Sequence, residues 1–152
     1  MRGLIREEII VLETHIDHLT GEELGQAFDR LLEAGAADAL WIPGIMKKNR
    51  PGGAFRVICR PEKEEEVMAA FFRHTHTLGI RRQVMERLVL PREATTTRLN
   101  GKPLRAKRYE LEGQGYVRPE HDELAREAEA AGVGVPALRF HTAGSDHDPE
   151  SA

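Results

Sequence analysis

Apolar positions recur along this chain with two different periods, and the change from one to the other marks its elements. From Glu8 to Asp17 an apolar start, Ile9-Ile10-Val11-Leu12, passes into alternation, which predicts a strand. Glu13, His15 and Asp17 then share one face, and Leu12, Thr14 and Ile16 the other. Thr20-Gly21-Glu22-Glu23 reads as a capping box, with Leu19 and Leu24 placed as its hydrophobic staple. Leu24, Ala27, Phe28, Leu31 and Leu32 follow at helical spacing, and Gly35 closes the helix. A second strand is predicted over Ala37–Met46, interrupted or bent at Pro43-Gly44, and a third over Ala54–Arg60, where Phe55, Val57 and Cys59 alternate. Pro61 opens a second helix with acids in its first turn and Val67, Met68, Phe71 and Phe72 on one face. Leu78–Leu90 reads as a fourth strand.

The order β-α-β-β-α-β predicts an α+β fold of the ferredoxin-like kind, two helices on one face of an antiparallel sheet. Beyond Pro91 a hairpin is expected, Thr95–Leu99 and Pro103–Leu111 flanking Asn100-Gly101. A last helix is predicted from Pro119, at its first position, to about Ala131, with Gly132 as its stop. Residues 1–140 read as a single domain, and the polar segment 141–152 as a disordered tail.

Composition narrows the class. At 152 residues the chain can bury a real core, and 40% hydrophobic with 31% charged residues describes a soluble globular protein. No apolar run is long enough to span a bilayer and no signal peptide is visible, so no membrane role is expected. The lone Cys59 excludes an internal disulfide, reads as a buried structural thiol and fits a reducing cytoplasm.

Charge changes the picture more. The net charge is −3, yet residues 44–118 hold 17 Lys and Arg against 8 Asp and Glu. A basic middle points to an anionic ligand or an acidic neighbouring surface. Nucleic acid is not favoured, because aromatic residues make up only 5% and no recognition motif is present. The basic residues are densest at Lys47-Lys48-Asn49-Arg50-Pro51-Gly52-Gly53, between two predicted strands. Lysine supplies a point charge, arginine a bidentate fork, and glycine lets backbone amides approach oxygen atoms. A turn held by Pro51 and Gly52 and carrying these groups suits a phosphate-rich ligand, although it also reads as an ordinary basic hairpin loop.

Several stretches then combine into a resemblance. Glu13-Thr14-His15-Ile16-Asp17-His18-Leu19-Thr20-Gly21-Glu22 is similar to the E-T-N-I-D-D-M-T-G-E opening of the C-terminal region of LarC-type nickel insertion proteins. Lys47 to Gly52, Cys59-Arg60-Pro61, Thr77-Leu78-Gly79-Ile80-Arg81, Leu90-Pro91-Arg92-Glu93 and Arg118-Pro119-Glu120 resemble further family motifs in the same order. The resemblance covers most of Glu8 to about Leu138.

It implies a part in making the nickel-pincer nucleotide cofactor of lactate racemase and related enzymes. There CTP drives insertion of Ni²⁺ into a pyridinium bisthiocarboxylate mononucleotide through a cytidylylated intermediate. The C-terminal region is implied to bind CTP with Mg²⁺ or Mn²⁺ and to form a homo-oligomer. Family members carry a large N-terminal domain, so this chain is expected to work with such a domain or subunit as part of a CTP-dependent nickel chelatase. Lys47, Lys48, Asn49, Arg50, Gly52 and Arg81 become the expected nucleotide contacts, and Asp17 and Glu13 the expected metal ligands. No catalytic residue is assigned.

The departures open alternatives. His15 stands where the family has asparagine, His18 where it has a second aspartate, and His74-Thr75-His76 replaces a threonine-rich stretch. Imidazoles suit softer metals such as Ni²⁺ or Zn²⁺, but these four histidines lack a ligand spacing and read as surface residues. A non-catalytic oligomerisation domain of the same family, or a domain sensing a small anion, therefore stand as alternatives.

Overall fold

A computed structural model describes residues 3–99 and 101–142. These gather into two compact units, one formed by Arg6–Val89 and the other by the described residues from Leu90 onward with the first few of the chain. The sequence pattern predicts one domain over 1–140. The two units have separate buried cores, and Pro91, which has no N–H to donate, follows directly on the boundary.

In the first unit, β1 (Ile5–Ile16, all but its first residue), α1 (Gly21–Glu33), β2 (Asp38–Met46), β3 (Arg50–Cys59), α2 (Glu64–Thr75) and β4 (Arg81–Val89) form a four-stranded sheet in the order β2-β3-β1-β4. This is the ferredoxin-like order, and β3 pairs antiparallel with both β1 and β2. Ile10, Leu12 and Ile16 of β1 and Phe55, Val57 and Cys59 of β3 alternate onto one face. There they meet Ala27 and Leu31 of α1 and Val67, Ala70 and Phe71 of α2. Phe55 is the hub, with Phe28, Phe71 and Trp41 ring centres at 4.7, 5.3 and 6.3 Å. Cys59 is buried here, which pushes its thiol above the ordinary range.

The capping box at Thr20 forms in both halves: Glu23 N–H donates to Thr20 Oγ1, and Thr20 N–H donates to a Glu23 carboxylate oxygen. Gly35, at φ +103°, lies just past the helix end. Leu32 and Phe72, placed by periodicity on the buried stripes, are exposed. Each lies beside the interior residue of its helix that does turn inward, Leu31 and Phe71.

Three strand expectations are corrected. β2 runs through Pro43-Gly44 without interruption, Pro43 opposite Gly53 and Gly44 opposite Gly52. An edge strand tolerates the missing donor. β3 begins at Arg50, so Pro51 and Gly52 are ladder residues opposite Ile45 and Gly44 and do not shape the turn. β4 begins at Arg81, and Leu78 is fully exposed outside it.

The second unit contains β5 (Arg92–Leu99), β6 (Lys102–Leu111) and β7 (Gln114–Pro119), an antiparallel sheet in that order, with α3 (His121–Ala131) and α4 (Val135–Thr142). Leu99 and Leu104 pack with Leu124, Ala128 and Leu138. The expected hairpin is present, though its Asn100 lies outside the described residues. β7 and α4 were not predicted. β7 is joined to β6 through Glu112 and Gly113, both at positive φ, and its pairing rests on the backbone ladder, since Gln114-Gly115 offers no apolar alternation. Pro119 accordingly ends β7 opposite Ala106, and the helix starts after Glu120, correcting the assignment of Pro119 to the first helical position. Gly132 at φ +66° closes it as expected. His141 and Thr142 finish α4, and the remainder of the expected tail lies outside the described residues. No described helix is long and apolar enough to cross a membrane.

Candidate functional site

Strand order decides what meets what. β1 and β2 end, and β3 and β4 begin, at one edge of the four-stranded sheet, where α1 also starts and α2 ends. That edge therefore collects Asp17 and His18, the turn Lys47–Asn49 with Arg50, and the segment from Thr75 to Arg81. These are almost all of the residues that the sequence singled out.

The basic turn is tight. Lys47–Asn49 forms a tight, kinked turn between Met46 and Arg50, which face each other across the ladder. Lys48 and Asn49 sit at φ +63° and +57°, the left-handed region that side chains with a Cβ rarely occupy. Lys47, Lys48, Asn49 and Arg50 are all exposed. Arg50 Nη1 donates to Asp17 Oδ2 at 3.2 Å, which ties the turn to the end of β1. A methyl group on Gly52 would lie 2.5 Å from the Ile16 carbonyl oxygen and 2.7 Å from Met46 Sδ. Glycine is needed there so that β1 and the hairpin can approach.

Asp17 keeps only 20% of its side chain exposed and has His18 Nδ1 at 3.9 Å from its other oxygen. His18 Nε2–H in turn donates to the Thr75 carbonyl at 2.7 Å, at the end of α2. The imidazole thus links the carboxylate to a helix terminus. His76 caps α2 in the left-handed conformation, and neither it nor His74 joins His15 or His18 in a cluster. Beneath this edge the buried Thr14 hydroxyl meets the Thr77 hydroxyl at 2.7 Å and donates to the Gly79 carbonyl at 2.8 Å, anchoring the loop that leads to Arg81.

Glu13 lies within β1 and Asp17 just past its end, and each carboxylate is paired with different arginines, Glu13 with Arg56 and Arg81 and Asp17 with Arg50. Both Glu13 oxygens are already engaged. Oε2 accepts from Arg56 Nε at 2.8 Å, and Oε1 accepts from Arg81 Nη2 at 3.1 Å. The Arg56 hydrogen bond, with Arg81 behind it, holds the Glu13 carboxyl below its ordinary range. Among the described residues no three His, Cys, Asp or Glu side chains come together to hold a metal. Glu13 does not fit a metal ligand; Asp17 fits one only as a single oxygen donor. Arg56 was missed in the sequence, and its only signal was an exposed cation inside an apolar strand.

The first unit is thus a ferredoxin-like α+β unit with a cationic turn docked against a carboxylate at one end of its sheet. Residues 1–139 match the sequence model of the family described as "Nickel insertion protein". The chain belongs to that family. It is 42% identical over 127 residues to the pyridinium-3,5-bisthiocarboxylic acid mononucleotide nickel insertion protein of Alkaliphilus metalliredigens, covering 84% of this chain and 30% of that one. A putative nickel insertion protein of Geobacter sulfurreducens is 36% identical over 145 residues, covering 92% of this chain and 36% of its own. The chain thus spans about a third of these relatives' length. Among solved structures it is similar to the apo form of LarC2, described as the C-terminal domain of a cyclometallase involved in the synthesis of the NPN cofactor of lactate racemase. The TM-score is 0.78 at 25% identity, with 88% of this chain and 93% of that one covered. A protein of Methanopyrus kandleri AV19 matches with a TM-score of 0.61 at 26% identity, covering 90% of this chain and 85% of that one.

Proposed function

We propose that this chain is the CTP- and divalent-metal-binding part of a nickel insertion system that loads Ni²⁺ into a pyridinium bisthiocarboxylate mononucleotide. The observation that carries the reading is the exposed turn Lys47-Lys48-Asn49-Arg50 docked on Asp17 in a chain of the nickel insertion family. A triphosphate needs several cations that it can approach from solvent, and here three lie within four residues. Arg50 and Asp17 neutralise each other in the free chain. When a phosphate replaces Asp17 as the arginine's partner, the carboxylate is released at the same spot. It would then supply one oxygen to Mg²⁺ or Mn²⁺, an ion that completes its shell with phosphate oxygens and screens their charge. Arg81, paired with Glu13 in the free chain, would be a further phosphate contact. Nickel is the cargo, and an N-terminal domain or subunit of the family would complete the system, within a homo-oligomer.

A second reading, a non-catalytic assembly domain of the family, draws on the same ion pairs: Asp17 and Glu13 are both satisfied by arginines without a ligand. Calorimetric titration with CTP, ATP and GTP, with and without Mn²⁺, separates the two. Metal-dependent binding that prefers CTP and weakens at least tenfold in Lys48→Ala and Arg50→Ala supports the first. No binding of any nucleotide by a folded, oligomeric sample supports the second, and binding without base preference would indicate a small-anion sensor.

A further inference from the structure

The outward face of the β5–β7 sheet, in the second unit, presents a cationic surface of its own. Register and burial define it. Leu99, Leu104 and Ala106 turn inward to Leu124, Ala128 and Leu138, so the alternate residues of each strand turn out. The outward residues form cross-strand rows. Arg92, Tyr109 and Tyr116 face one another in one row, and Ala94, Lys107 and Arg118 in the next. Thr96 and Arg105, then Arg98 and Pro103, follow.

Tyr109 and Tyr116, the chain's two tyrosines, stack with ring centres 5.5 Å apart and planes inclined by 16°. Tyr116 is 39% exposed. No Asp or Glu lies among the outward strand residues from Arg92 to Arg118. Lys107 stands directly opposite Arg118, a like-charge pair that destabilises a sheet unless an anion offsets it. Glu120 offsets it only in part, at 3.6 Å from Lys107 Nζ, and Arg105 is held by Glu123. Arg92, Arg98 and Arg118 have no ion pair among the described residues.

We propose that this face binds a single-stranded polynucleotide, with bases stacking on the tyrosine pair and phosphates on the Lys107–Arg118 row and its neighbours. The charge pattern calls for a polyanion. The aromatic pair calls for one whose rings are free to stack, which excludes a duplex. A mononucleotide, which binds in concave sites, would meet only one of these cross-strand rows. Successive rows repeat every two residues, about 7 Å along the strands, and only an extended ligand meets several at once. The low aromatic content of the whole chain conceals this surface, because the register places both tyrosines side by side.

The test is fluorescence anisotropy of the whole chain with a labelled single-stranded RNA and DNA of about a dozen nucleotides, and with the DNA as a duplex. Single strands should bind with Kd near about 10⁻⁵ M at low salt and weaken as salt rises. Tyr116→Ala should lose about tenfold in affinity while Tyr116→Phe keeps it, because a base stacks on the ring and not on the hydroxyl. Lys107→Gln with Arg118→Gln should reduce the salt slope by about 1–2. Circular dichroism confirms that each variant is folded. Excess CTP should not displace the strand, so this result stands or falls apart from the CTP reading. The proposal is overturned by absence of single-strand binding, by equal binding of the duplex, by indifference to Tyr116→Ala, or by displacement with CTP.

Discussion

Lys48 is a cation held in a backbone conformation that suits glycine, and the cost of that placement is a testable sign of function. Left-handed geometry costs a residue with a Cβ about 1 kcal/mol relative to glycine. Lys48→Gly should therefore leave thermal stability equal or raise it by up to about 1 kcal/mol, while phosphate affinity falls. Equal affinity with higher stability would make Lys48 an ordinary turn residue. Glu13 gives the second residue-scale prediction. Its carboxyl is held low in the folded state, so its contribution to stability is present above the ordinary range near 4.5 and is lost as pH falls through the folded value. Denaturation between about pH 5 and pH 3 should become less pH-dependent in Glu13→Gln, with lower stability at pH 7 because Arg56 and Arg81 lose a shared partner. A metal-ligand role would instead leave stability at pH 7 unchanged without the metal.

At the scale of elements, the β2–β3 hairpin is aimed by its glycines. Gly53 lies opposite Pro43, and a methyl group on it would come within 2.3 Å of the Ile42 carbonyl oxygen. Gly52 plays the same part toward Ile16 and Met46. Gly52→Ala should cost about 1–3 kcal/mol in chemical denaturation and displace Arg50 from Asp17, lowering nucleotide affinity without removing any charged group. The capping box, the helix stop at Gly132 and the central strands were legible in the sequence, because each depends on residues a few positions apart. The entry into β3, the run of β2 through Pro43 and the existence of β7 were not. Those depend on backbone ladders with partners distant in sequence, where a proline on an edge strand or a glycine-rich strand carries no apolar rhythm.

At the scale of the molecule, the two units have very different interiors. Eleven buried residues form the core of the first, with an aromatic hub at Phe55, and five form that of the second. Hydrogen exchange followed by mass spectrometry should find the slowest amides in β1 and β3, and faster exchange throughout β5–β7, because local opening exposes less apolar surface there. Equal protection of both sheets would mean that the smaller core is not the weaker one.

The sequence by itself determined the periods of the first four strands and two helices, the α+β class, the family, and the cluster of cations that Lys47, Lys48 and Arg50 form. All of these are local patterns or collinear motifs. Only the tertiary structure decided that Asp17 meets Arg50 while Glu13, in the same motif, is taken by Arg56 and Arg81. Only register decided that Gly52 is there for strand approach and that two tyrosines seven residues apart stack. The physical reason is common to all three. Side-chain period tells which face a residue occupies, but its partner on that face is set by the alignment of a strand that may lie forty residues away.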